Sequence, residues 1–293
     1  MINNILNSNS ITLGRTLLAL STLSTLLFNS TSDLFPSYHL EKIAGREEFI
    51  YKYNFFLIFD NPLIPQVLAI VFLLIIIGGI FPRITCFIQT YISYSLFHSL
   101  LVVEGGDQIN AILALLLIPI CCLDKRLFAW KTTSIHTYSS KNIFLINAFC
   151  AVFFIKIQMA ILYLNAGVEK LASNEWANGT AIYYWFNNNT FGANNFIASL
   201  YGFLFENDLS VTVINFGVIL LEIVLFLGLV INQRAKYLLF LAAVIFHFFI
   251  IIVHGLPSFF FSMTAGLMLY LWNNELTIKE NFNRLWKMNT VKA

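Results

Sequence analysis

The stretch IFLINAFCAVFFIKIQMAILYLNAGVEKLASNEWANGTAIYYW, Ile143 to Trp185, decides the fold. Its apolar run from Ile143 to Val168 is long enough to cross the ~30 Å hydrocarbon core of a bilayer, and Asn165 with Gly167 mark a helix that opens near its end. Asn174, Asn178 and Gly179 then supply turn chemistry, while Trp176, Tyr183, Tyr184 and Trp185 carry the amphipathic rings that settle at headgroup level. Glu169 and Lys170 are therefore placed at a membrane boundary. They read either as a helix-end ion pair inside an aromatic belt, or as a carboxylate and an ammonium able to act on something arriving from either phase.

The rest of the chain agrees with a membrane setting. Of 293 residues 58% are hydrophobic and 11% charged, against roughly 25% charged in soluble domains, and the mean hydropathy is +0.76. The expected fold is an all-α polytopic bundle. The net charge of +2 and scattered basic residues exclude a nucleic-acid footprint. The N-terminus has no basic region ahead of its first apolar run, which reads as an uncleaved helix. Cys86, Cys121, Cys122 and Cys150 form no C-x-x-C pair and no metal-ligand spacing with His.

Eight apolar spans follow from the hydropathy, at about residues 11–29, 63–81, 84–103, 109–123, 143–168, 211–231, 237–253 and 258–272. Arg15 sits about a turn inside the first and is expected to snorkel to the near headgroups. Residues 30–62 read as an extramembrane loop with one short helix, and Pro82-Arg83 as a tight hairpin between the second and third spans. Glu104-Gly105-Gly106-Asp107 is a bare turn or a small binding loop, and its polar density favours the loop. Lys156 in the fifth span lies fourteen residues before Lys170, roughly 21 Å along one helix face. Residues 187–209 read as an Asn-, Gly- and Phe-rich loop. Glu222 in the sixth span needs a partner or a proton, with Lys156 or Arg15 as candidates, and His247 lies inside the seventh span.

Arg83; Lys125, Arg126, Lys131 and Lys141; Arg234 and Lys236; and Lys279, Arg284, Lys287 and Lys292 fall on one side of this topology, against Lys42, Arg46, Lys52 and Lys170 on the other. The positive-inside rule then puts both termini in the cytoplasm and the Lys170 segment outside. No G-x-S-x-G, H-E-x-x-H or P-loop is present, which excludes ATP-driven transport within this chain. Lys170 is the best candidate for chemistry, because an amine at an apolar boundary can serve as a base.

Three blocks carry a resemblance: GRTLLALSTLSTLLFNS at Gly14 to Ser30, YISYSLFHSLLVVEGGDQINAILALLLIPICCLDKR at Tyr91 to Arg126, and AGVEKLASNEWANGTAIYYW at Ala166 to Trp185. Together they resemble the sporulation-delaying protein B family, bacterial membrane proteins encoded with a secreted antimicrobial peptide toxin and needed for its maturation. That family is grouped with HTTM proteins, which are similar to the membrane part of vitamin K-dependent gamma-carboxylase. In the carboxylase an Ala-Gly-Val-Lys-Lys-Leu segment carries the lysine that deprotonates reduced vitamin K. Its second lysine falls on Lys170, its first is replaced by Glu169, and the carboxylase's large C-terminal domain has no counterpart here.

The resemblance implies a bacterial cytoplasmic-membrane factor that helps convert a precursor into a secreted antimicrobial peptide. Its partners would be that precursor, a small co-encoded protein and membrane lipid, with a quinone- or lipid-accessible site but no named cofactor. In this reading Lys170 and Glu169 carry the chemistry, while Glu104, Gly105, Gly106, Asp107 and Trp176 shape the outward site. Two other classes stay open. In an export or binding protein, the outward loops with Lys156, Glu222 and His247 would line a peptide path, and Arg15 is a further binding candidate. An immunity protein would only sequester toxin.

Overall fold

The computed structural model describes residues 2–132 and 143–287; Lys141 and Lys292 of the charge count lie outside them. Among the described residues the chain is helical without a strand. Eight long helices match the eight apolar segments: α1 Ser10–Phe28, α2 Leu63–Ile77, α3 Pro82–Ser99, α4 Gly105–Leu123, α5 Ile143–Ala172, α6 Asp208–Phe226, α7 Gln233–His254 and α8 Pro257–Leu271. Five of them, α1, α4, α5, α6 and α7, are long and apolar enough to cross a membrane. α2 and α8 are apolar but have 15 residues, about 22 Å of helix. α3 has 18 residues and carries Thr85, Gln89, Thr90, Ser93, Ser95 and His98 along it. The chain divides into two compact units, one of residues 1–155, 257–269 and 273–293, the other of residues 156–256 and 270–272.

In the first unit, Leu23 and Leu26 of α1, Ala69, Leu73 and Ile76 of α2, and Ile92 and Leu96 of α3 form one buried cluster. The segment expected to be an extramembrane loop joins it. Residues 30–62 contain the helices Thr31–Leu34, Ser37–Ala44 and Phe49–Lys52, and their Phe35 and Phe56 rings stack inside the cluster at 4.9 Å. Asn54 Nδ2 donates to the Ser95 carbonyl at 2.9 Å and the Phe55 N–H to Ser95 Oγ at 3.1 Å, which binds the segment to α3. Its charged residues disguised it as a loop, but its aromatics bury enough apolar area to dock.

Arg15 does not snorkel. It is 4% exposed, with Nε donating to Gln89 Oε1 at 3.2 Å, Nη2 to Thr85 Oγ1 at 3.2 Å, and Gln89 Nε2 returning a bond to the Arg15 carbonyl at 2.9 Å. The polar face of α3 supplies the acceptors for its guanidinium.

The α2–α3 hairpin is tight, as its Pro-Arg signal suggests. Gly79 turns with φ +73°, and a Cβ there would lie 2.7 Å from Trp130 Cδ1, so only glycine suits it. The Phe81 N–H donates to Leu127 O at 2.9 Å and the Ala129 N–H to Gly79 O at 2.8 Å, strapping the segment after α4 across the hairpin. There Arg126 grips the Asp124 carboxylate through Nε and Nη2 at 2.8 and 2.6 Å and donates from Nη1 to Ser8 O at 2.8 Å.

In the second unit, residues 187–209 are not one loop. They hold the helix Asn195–Phe205, started by Asn194 accepting the Ile197 N–H at 3.0 Å. Phe205 stacks on Phe186 at 3.8 Å, the contact that gathers this Asn-rich stretch onto the helix Ala181–Phe186.

Candidate functional site

The Lys170 site is built on one face of α5. Tyr163, Gly167 and Lys170 stand at i, i+4 and i+7, positions that share a helix face. α5 runs unbroken to Ala172, so Gly167 does not open it. A Cβ at Gly167 would lie 2.9 Å from Ile223 Cγ1 and 3.5 Å from Glu222 Cβ. The missing side chain lets α6 come close enough for Glu222 to reach Lys170.

Lys170 Nζ lies 2.8 Å from each oxygen of the Glu222 carboxylate. It also donates to the Ala166 carbonyl at 3.3 Å and sits 5.2 Å from the centre of the Trp176 ring, within cation–π range. The Glu222 side chain is 7% exposed and that of Lys170 22%. Glu222 is thus paired with Lys170 rather than with Lys156 or Arg15. A carboxylate buried among apolar helices needs a cation, and α5 supplies one across the close contact at Gly167.

The segment after α5 is fastened along the same face of α6. Asn215 Nδ2 donates to the Trp176 carbonyl at 2.8 Å. Gly179, at φ +80°, packs its backbone where a Cβ would meet Phe216 Cε2 at 3.2 Å and Thr212 Cγ2 at 3.3 Å. Thr212, Asn215 and Glu222 therefore hold the turn, the Trp176 backbone and the Lys170 ammonium in succession. One turn before Gly167, buried Tyr163 hydrogen-bonds through its hydroxyl to Nε2 of buried His247 on α7 at 3.0 Å.

Not every expected residue gathers here. Glu169 is exposed, about 100° round the helix from Lys170, and Lys156 is half-buried earlier on α5. Glu104, Gly105, Gly106 and Asp107 belong to the first unit and start a helix rather than forming a loop: Gly105 opens α4. Asp107 accepts the Glu104 backbone N–H at 3.2 Å, and a Cβ on Gly106 would lie 2.8 Å from Phe259 Cα, so the glycine admits α8. Burial pushes the Glu104 carboxyl above its ordinary range, with the Ser258 hydroxyl opposing part of that rise. Tyr163 and Asn215 were missed; Tyr163 had a signal in its spacing of seven from Lys170, whereas Asn215 had none.

Beside this face lies an apolar cavity of about 290 Å³, lined by Trp185, Phe186, Tyr201, Val218, Phe249 and His254 among others. Among the described residues no group of three His, Cys, Asp or Glu could hold a metal, and the four cysteines are free thiols.

The chain is 34% identical over 290 residues to the uncharacterized protein YitO of Bacillus subtilis (strain 168), covering 96% of this chain and 91% of that one. It is also 34% identical over 297 residues to sporulation-delaying protein SdpB of the same organism, covering 97% and 88%. No family model matches it, and no solved structure does. With a third of positions shared along nearly the whole of both chains, this chain belongs to the family of the sporulation-delaying protein SdpB.

Proposed function

We propose that this protein is a bacterial cytoplasmic-membrane factor, with eight crossings and both termini inside, that matures a secreted antimicrobial peptide toxin from its precursor. The observation that carries a chemical role is the Lys170–Glu222 pair, held at 2.8 Å between two helices long and apolar enough to span. A buried ion pair adds little net stability compared with apolar packing. An ammonium–carboxylate pair and its neutral form differ only by a proton moved across one hydrogen bond. In our reading the Lys170 ammonium first gives a proton to Glu222, the free amine then takes a proton from the substrate, and the Glu222 carboxyl loses its proton past the part-exposed Lys170, which restores the pair. Trp176 orients the amine, and the partners are the precursor and a small co-encoded protein.

This reading uses no quinone; Lys170 is not among the residues that line the apolar cavity. The peptide-path reading weakens, because Glu222 and His247 are engaged with Lys170 and Tyr163.

The test is the intact mass of the secreted peptide from cells with the wild-type protein, none, or Lys170→Ala. A mass difference between the first two that Lys170→Ala abolishes supports the modification step. Equal masses with altered secretion would replace it with export or presentation.

A further inference from the structure

We propose that the helix Ile278–Lys287 lies in the headgroup layer of the membrane, with Phe282 and Trp286 among the acyl chains and Lys279 and Arg284 against anionic lipid headgroups. Its sequence, IKENFNRLWK, is strongly amphipathic. At 100° per residue Ile278, Phe282, Leu285 and Trp286 fall within an arc of about 100°, and Lys279, Glu280, Asn283 and Arg284 occupy the rest. Glu280 Oε2 accepts the Thr277 N–H at 2.7 Å, so the first turn is capped from within.

Its place against α1 points to lipid rather than to water. Ile278 N–H donates to Asn9 Oδ1 at 2.9 Å, and Ser10 Oγ donates to Leu276 O. Asn281, fully buried, donates to Asn273 O at 3.0 Å and Thr277 O at 3.1 Å and lies 3.4 Å from Ser10 Oγ. The bonds to Asn9 and Ser10 meet the first turn of α1, a helix long and apolar enough to span, so the amphipathic helix is pinned at the level where a spanning helix leaves the bilayer. Phe282 is nonetheless 53% and Trp286 72% exposed. Two large aromatics that expose more than half of their surface at i and i+4, rimmed by cations at such a level, are the signature of an interfacial helix.

Charge selects the lipid. The same end of this unit carries the exposed Lys125 and Lys131, on either side of Arg126, which is itself buried, paired with Asp124 and bonded to Ser8 just ahead of α1. Lys279 and Arg284 extend that basic rim, and each cation near an anionic leaflet adds to the attraction.

The full chain is reconstituted in vesicles with and without anionic lipid. Trp286 is read as the difference in emission between the wild-type protein and Trp286→Phe, since the chain has five tryptophans. In anionic vesicles, lipid brominated near the headgroup end of its acyl chains is expected to cut that difference signal about twofold, with aqueous iodide having little effect. The Lys279→Glu/Arg284→Glu double variant should reverse the two sensitivities, as should high salt in part. A difference signal quenched by iodide and untouched by brominated lipid in both vesicle types would overturn the proposal. So would one shielded from both quenchers but released on dilution, which would assign the face to a second copy of the chain.

Discussion

Arg15 and Lys170 are both cations in apolar helices, and the structure treats them differently. Arg15 is closed off at 4% exposure, and its guanidinium bonds go to the neutral side chains of Gln89 and Thr85. Lys170 keeps its side chain 22% exposed and faces the carboxylate of Glu222 with an indole beside it. A planar guanidinium shared among neutral acceptors is a clasp between α1 and α3. Lys170 instead sets a compact ammonium against a carboxylate and leaves it open on one side. Depth alone therefore does not separate the two settings; the partner and the open side do.

The largest effect is expected at Lys170. Lys170→Ala should abolish the mass change and also leave Glu222 buried without its cation, lowering stability by about 2–4 kcal/mol, less than for a fully enclosed pair because Lys170 is part-exposed. Thermal unfolding in detergent checks this, and adding Glu222→Gln should recover most of the stability but none of the activity. Gly167→Ala comes next: the added methyl meets Ile223 at 2.9 Å, which should cost about 1–3 kcal/mol. It should also separate Lys170 from Glu222 and lower peptide conversion.

Arg15→Met should lower the melting temperature by a similar energy, because Gln89 and Thr85 lose their donors. Conversion per folded molecule should hold, and a loss there would break the contrast with Lys170. The smallest effect is Glu104→Gln. Burial raises the Glu104 carboxyl above its unfolded value, so its favourable neutral form is fully present below the ordinary carboxylate pKa and is lost as pH rises through the folded value. The variant should gain a few degrees at neutral pH and nothing in acid.

Most of the helical plan was legible, because hydropathy reports burial in lipid directly: each of the eight apolar segments is a helix, with bounds moved by a few residues. The two stretches read as loops failed for one reason. Residues 30–62 and 187–209 mix charge and amide residues with aromatics, and polar averages hid Phe35, Phe56 and Phe205, which carry the packing. At the site, Lys170 and Trp176 stood out by type, since cations and indoles are conspicuous at a membrane boundary. Glu222 was conspicuous too, but its partner was not legible; Lys156 and Arg15 were as plausible by composition.

By itself, the sequence determined the membrane class, the helical segments, the basic rim and the family, because each depends on composition, local periodicity or identity along the chain. Only the tertiary structure decided that Gly167 is a contact rather than a break, that Gly105-Gly106 opens a helix beside Phe259, that Arg15 is a clasp and that Lys170 meets Glu222. Those four depend on which helix faces come within a few ångströms of each other. That is set by long-range packing between segments up to 153 residues apart, as Gly106 and Phe259 are, and no local pattern encodes it.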